Sequence, residues 1–329
     1  MKTPLLTRLL APLALAGALL APAAATADDL ESSFDRALGT DLRTPRTFST
    51  LDDQLSALAA ADRGRIGVAA VDLASGRSVA VLGEQPFPMA STSKVAIVAA
   101  FLEGVDQGKF RLDQQFPLMM PLPSRKFDGS VAPVRAGQML SALTLIELTI
   151  TRSDNQATDA LLAAIGGPAV VNRWVKKAGI KGFRLDRDIA TLVRDDGEVD
   201  PATTVDLRDS ATPLAMTELL AGLYQGRWLR PDSRDVLIGA MERCITGKRR
   251  IPGMLPQGTL VAHKTGTLSN TSSDVGIIHT PDGRAFAIAI YVTGQGSKPA
   301  REERIATIAR AVYDGYLIEP SGQVRTAAR

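Results

Sequence analysis

Strand-patterned segments stand at both ends of this chain with a long helical stretch between them, and this arrangement limits the fold more than any other feature. RIGVAAVDL and RSVAVLG alternate apolar and polar residues around Ala74-Ser75-Gly76, a hairpin signal. Near the other end TLVAHKTGT, SDVGIIHT and AFAIAIYVTG are rich in β-branched residues, with Pro281-Asp282-Gly283 as the turn between the last two. From Ser91 to about Gly247 the apolar period is helical, in AIVAAFLEGVDQG, LTLIELTITRS, ATDALLAAIGG, AVVNRWVKKAG and PLAMTELLAGLYQG. A helix over TFSTLDDQLSALAAADRG, capped by Ser49 or Thr50, and an amphipathic REERIATIARAVYDGYL flank the strands. The expected fold is mixed α/β (α+β): one antiparallel sheet built from both chain ends and flanked by helices, plus an inserted all-helical lobe. The expected bounds are a lead over 28–48 and one domain over 49–329. Within it the α/β lobe takes about 49–90 and 250–318, and the helical lobe about 91–249.

The first 27 residues read as a secretory signal peptide. Lys2 and Arg8 form a basic start, LLAPLALAGALLAPAAA an apolar run, and Ala25-Thr26-Ala27 a cleavage site. Removing them leaves 36 Lys+Arg against 35 Asp+Glu, a balance that argues against nucleic acid or an anionic membrane as partner. A periplasmic or secreted monomer, free of the membrane after cleavage, is expected. Cys244 is the single cysteine, so no internal disulfide forms; LIGAMERCITG places it as a buried thiol on an amphipathic helix. With only two histidines, His263 and His279, no metal is expected, and no cofactor.

Ser91-Thr92-Ser93-Lys94 opens the apolar AIVAAFLEG stretch. On a helix Lys94 stacks over Ser91, where a desolvated amine can take a hydroxyl proton. Taken alone, the stretch also reads as a capped helix start. Ser153-Asp154-Asn155 and Lys264-Thr265-Gly266 follow in order. S-x-x-K, S-D-N and K-T-G in this sequence are the trio of class A β-lactamases and penicillin-binding proteins. The chain resembles that family, and its class A branch most. RLDR (184–187), DLRDSATP (206–213) and AHKTGTLSNTSSDVGIIHTPDGR carry the likeness further, over about Thr50 to Tyr316.

The resemblance implies hydrolysis of the β-lactam amide bond through an acyl-enzyme on Ser91, with Lys94 as base. Backbone N–H groups of Ser91 and Thr267 would form the oxyanion hole, and Ser153, supported by Lys264, would protonate the leaving nitrogen. Asn155, Thr265, Gly266 and Thr267 would line the substrate's path, with Arg250 supporting its carboxylate because Ser273 stands where many relatives have an arginine. Arg249 is Arg250's neighbour, and His263 would shape the strand. One departure stands out: counting forward from RLDR puts Ile189 where the family has its water-activating glutamate, whereas counting back from DLRD reaches Asp196 and Glu198. Glu198 is the expected base for its reach, with Arg187 and Asp209 pinning the loop neck. The shared trio leaves two alternatives: a D-alanyl-D-alanine peptidase or other serine hydrolase that deacylates slowly, and a non-catalytic β-lactam receptor.

Overall fold

A computed structural model of the protein describes residues 50–121 and 134–318. The expected signal peptide and lead lie outside the described residues. Thr50 caps helix α1 (Leu51–Leu58) by accepting from Asp53 N, as its hydroxyl allows. Strands β1 (Ile66–Asp72), β2 (Ser78–Val81), β8 (Leu260–Leu268), β9 (Thr271–His279) and β10 (Ala285–Thr293) form one antiparallel sheet in the order β2-β1-β10-β9-β8. β1 lies on β10, from Ile66 opposite Val292 to Asp72 opposite Phe286, so the two ends of the chain do build one sheet.

Both faces of this sheet are covered, and the alternation within β10 shows how. Phe286, Ile288, Ile290 and Val292 pack toward α1 and the final helix α9 (Lys298–Ile318). Ala285, Ala287, Ala289 and Tyr291 face the other core, which includes α7 (Pro213–Tyr224). Small residues on that side let helices approach the sheet closely, while the bulky side fills the space under the terminal helices. Helix α2 (Lys94–Asp106) is buried on all sides from Lys94 to Leu102 and forms the axis of the second core. Around it stand α3 (Ala142–Thr151), α4 (Asn155–Ile165), α5 (Pro168–Lys177) and α8 (Pro231–Glu242).

The inserted lobe is not all-helical, contrary to expectation. β4 (Gln115–Pro121) and β5 (Val134–Ser141) pair antiparallel, with a register shift between Pro117 and Met119. Pro117 and Pro121 exclude a helix there, and the shift accommodates a residue that cannot donate to the ladder. Short strands β3 (Phe87–Pro88), β6 (Phe183–Arg184) and β7 (Ser210–Ala211) form a second small sheet, order β3-β7-β6. Cys244 also departs from expectation. Helix α8 stops at Glu242 with Arg243 as its C-cap, leaving Cys244 half-buried in the coil beyond it.

Candidate active site

Ser91 lies in a single 3₁₀ turn (Ala90–Ser93) that runs directly into α2, rather than at the N-cap of the helix. Ala90, just before it, takes the left-handed conformation (φ +48°), an uncommon state for a residue with a side chain. The neighbouring hydroxyls are committed: Thr92 Oγ1 donates to Met89 O and Ser93 Oγ to Ala90 O, both at 2.8 Å. Thr92 and Ser93 are fully buried, whereas Ser91 is only half-buried. The turn thus spends two of its three hydroxyls on its own backbone and keeps Ser91 only half-buried.

Lys94 is wholly buried, and its Nζ donates to Ser153 O (2.7 Å), Asn155 Oδ1 (2.7 Å) and Ser153 Oγ (3.3 Å). From the opposite side Lys264 Nζ donates to the same Ser153 Oγ at 2.9 Å and to Thr265 O at 2.9 Å. Ser153 stands between α3 and α4 in the left-handed conformation (φ +59°), which lets one residue present both its carbonyl and its hydroxyl to the amines. Burial, and then the charge of Lys264, holds the Lys94 amine well below the ordinary lysine range. Burial lowers Lys264 to about 8, Arg250 pressing it the same way while Cys244 and Asp274 oppose. Two amines around one hydroxyl in a dry site resist being charged together, so an amine here can serve as proton acceptor.

Gly266 brings the K-T-G strand against the serine turn. A Cβ there would sit 2.4 Å from Ser273 Oγ, 2.6 Å from Met89 O and 3.1 Å from Ala90 Cβ, an approach only glycine permits. Arg250 is buried beneath this strand. Its Nη1 donates to Gly266 O and Ser273 O (both 2.8 Å), its Nη2 to Thr267 Oγ1 (2.6 Å), and it pairs with Glu302 on α9 at 3.2 Å. Thr265 Oγ1 meets Thr246 Oγ1 at 2.7 Å. His263 Nδ1 lies 3.0 Å from both oxygens of buried Asp274. Burial opposes the ring's charge, yet Asp274 and the Cys244 thiol outweigh it and hold His263 protonated, with its pKa raised to about 10. His263 therefore ties β8 to β9. Arg249 is exposed.

The structure brings Lys94, Ser153, Asn155 and Lys264 into one hydrogen-bonded set, with Arg250, Thr265, Gly266 and Thr267 along the adjoining strand. The loop over 187–209 is different. Its neck is locked by Arg187 Nε to Asp209 Oδ2 (2.6 Å), while Asp209 Oδ1 accepts from Asp186 N (2.7 Å) and Arg187 N (3.0 Å). Asp196 accepts from Ser269 N (2.8 Å), and Glu198 is exposed on the tip, its charge facing Arg208. Ile189, in the first turn of α6 (Ile189–Arg194), is buried. Sequence reasoning missed Asp159, whose carboxylate grips the start of α6; its signal was a carboxylate one helical turn beyond Asn155. It also missed Glu302 and Thr246, which no motif marks. Among the described residues no three His, Cys, Asp or Glu side chains are grouped to hold a metal ion.

Comparison with known proteins agrees with this geometry. The profile of the "Beta-lactamase enzyme family" matches residues 50–316. Among curated relatives, beta-lactamase Toho-1 of Escherichia coli is 31% identical over 82% of this chain and 90% of its own length. Beta-lactamase CTX-M-8 of Citrobacter amalonaticus is 32% identical over 81% and 89%. Among solved structures, an ancestral class A beta-lactamase (GNCA) shares 35% identity over 80% of this chain and 99% of its own, with a TM-score of 0.69. A beta-lactamase from Chitinophaga pinensis shares 29% identity over 81% and 99%, with a TM-score of 0.70. With the site's order and geometry, these likenesses establish that the chain belongs to the class A branch of the beta-lactamase enzyme family.

Proposed function

We propose that the protein hydrolyses β-lactams through an acyl-enzyme on Ser91. The observation that carries this reading is the pair of buried amines, Lys94 and Lys264, that share the Ser153 hydroxyl beside the serine turn. Once the Lys94 amine, whose ammonium burial disfavours, has given up one of the three protons it donates, it accepts the Ser91 proton as Oγ bonds to the lactam carbonyl carbon, and N–H groups of Ser91 and Thr267 receive the oxyanion. Ser153, held by Lys264, delivers a proton to the departing nitrogen. Asn155 orients the substrate's amide, and Thr265 and Thr267 supply hydroxyl donors for its carboxylate, while Arg250 supports that end of the site from beneath by holding Thr267 Oγ1 and the carbonyls of Gly266 and Ser273. The peptidase and receptor alternatives gain no support, because the relatives are named as β-lactamases.

For release of the acyl group, Glu198 is the loop acid proposed to activate water. This role requires the loop tip to fold inward, since its carboxylate stands at the surface. An exported monomer completes the proposal; no described helix is long and apolar enough to cross a membrane. The test is nitrocefin turnover joined to intact-mass spectrometry during cephalosporin hydrolysis. Wild type should turn over many equivalents and Ser91→Ala none, while Glu198→Ala should accumulate an adduct on Ser91 and Asp196→Ala should not. Intact nitrocefin, or colour that stops after one equivalent, would sink the β-lactamase reading.

A further inference from the structure

A proton acceptor at Lys94 gains positive charge close to that of Lys264, among buried groups. Ile189 offers no compensating charge from α6 and is 1% exposed. A different carboxylate occupies the ground beneath it. Asp159 is 6% exposed on α4, one turn beyond Asn155 and on the same face, and Asn155 is the residue whose Oδ1 accepts from Lys94 Nζ. Asp159 Oδ1 accepts from Ile189 N at 2.8 Å and Oδ2 from Ala190 N at 2.9 Å. Both oxygens are therefore pinned by backbone, and the carboxylate cannot swing toward solvent.

We propose that Asp159 is the fixed counter-charge of Lys94, a positioning residue that supplies from α4 the negative charge that Ile189 does not supply from α6. The proposal rests on the reading that Lys94 accepts the Ser91 proton. In that step the Ser91 O–H bond breaks, an N–H bond forms on Lys94, the Oγ electron pair bonds to the lactam carbon, and the C=O π pair moves onto the carbonyl oxygen as the oxyanion. The new ammonium then faces Asp159 until it gives its proton up. An anion already oriented by two N–H groups needs no reorganisation as that charge appears, which is where electrostatic catalysis is most effective.

The charged groups around the pair set the sign of the test. Lys94 is faced by Lys264 from β8, which disfavours its ammonium, and by Asp159 and Asp154 from α4, which favour it. Asp159 is faced by Lys94 and by Asp188 at the start of α6. Asp154 and Asp188 are held as helix caps, on Ala157 N and Thr191 N, and Asp159 by Ile189 N and Ala190 N, so all three carboxylates are fixed and Asp159 is the one a helical turn beyond the Asn155 that binds Lys94 Nζ. Burial raises Asp159 to about 6, with its two N–H partners and Lys94 opposing that rise, so it is mainly ionised at neutral pH.

The experiment measures the rate of Ser91 adduct formation by intact mass from pH 5 to 9, with thermal melts alongside. It compares wild type with Asp159→Asn, Asp159→Ser and Asp159→Glu. Removing the charge makes Lys94 a weaker base. Asp159→Asn should therefore move the acid limb of the rate profile to lower pH and reduce the plateau by roughly tenfold. Asp159→Ser should do the same and serves if the Asn variant fails to fold. Asp159→Glu should keep the limb in place even if its melting temperature falls as far. A neutral variant whose limb stays at the wild-type pH while rate and stability fall together would show Asp159 to be only a clamp between α4 and α6, overturning the proposal. A wild type that forms no adduct at all would instead remove the acyl-enzyme reading beneath it.

Discussion

Gly266→Ala tests how tightly the K-T-G strand is fitted to the serine turn. The added methyl would begin 2.6 Å from Met89 O and 2.4 Å from Ser273 Oγ. The two contacts differ in kind. Ser273 Oγ is buried without a hydrogen-bond partner among the described residues, so it can rotate aside at little cost. Met89 O is backbone, and Met89 N is itself held by Asp209 O at 2.9 Å, which anchors the turn from behind. Restoring ordinary contact near 3.4 Å therefore requires β8 to move off the turn by about 0.8 Å. A displacement of that size at a reacting centre costs on the order of 30- to 100-fold in kcat/KM. Overpacking by one methyl adds a stability loss of about 1–3 kcal/mol, or roughly 3–10 °C in melting temperature. Nitrocefin kinetics with a thermal melt read both. The double variant with Ser273→Ala removes only the soft contact and should recover little activity. A Gly266→Ala enzyme within about threefold of wild type, or full rescue by Ser273→Ala, would refute this account of the glycine.

Asp209→Ala removes the acceptor for Asp186 N, Arg187 N and Arg187 Nε at the loop neck. Because Arg187 keeps Asp195 at 3.1 Å, the loss should fall near the lower end for a broken buried pair, about 3 kcal/mol. Proteolysis within 188–208 should accelerate; a denaturation midpoint worth less than about 1 kcal/mol of change would contradict it. Lys264→Met should abolish turnover yet stabilise the fold at pH 7 by on the order of 2 kcal/mol, since burial depresses Lys264 to about 8. The sign follows from proton counts: between about 8 and 10.5 the unfolded chain binds this proton and the folded one does not, so wild type gains stability as pH rises there. The variant's advantage should thus shrink across that window, and an advantage independent of pH would refute the assignment.

The sheet from both termini was legible because alternating segments need partners, and only each other's edges were available at the two ends. Ser91, Lys94, Ser153 and Lys264 were legible because their spacing and order carry the chemistry. What escaped was set by contacts distant in sequence. The β4–β5 pair is hidden by two prolines that spoil its alternation, and Arg250's ion pair depends on Glu302, 52 positions later. Asp159 reads as an ordinary helix residue until Ile189 and Ala190 are folded onto it. Glu198 was preferred over Asp196 for its longer side chain, whereas its surface position depends on how Asp196 and Asp200 dock onto Ser269 and Asn270.

The pairing of β1 with β10 also sets a timetable for folding. Arg65 bonds Thr293 across 228 positions, and the middle of the sheet is completed by strands that leave the ribosome last. During synthesis β1 and β2 have only each other, a two-stranded ribbon that is at best marginal in water. The helices around α2 can gather earlier, but the wall that holds Lys264 against Ser153 and Gly266 against the serine turn arrives only with β8 to β10. A nascent chain is therefore enzymatically silent for most of its synthesis, and its catalytic centre comes together in the same late, long-range closure that completes the sheet.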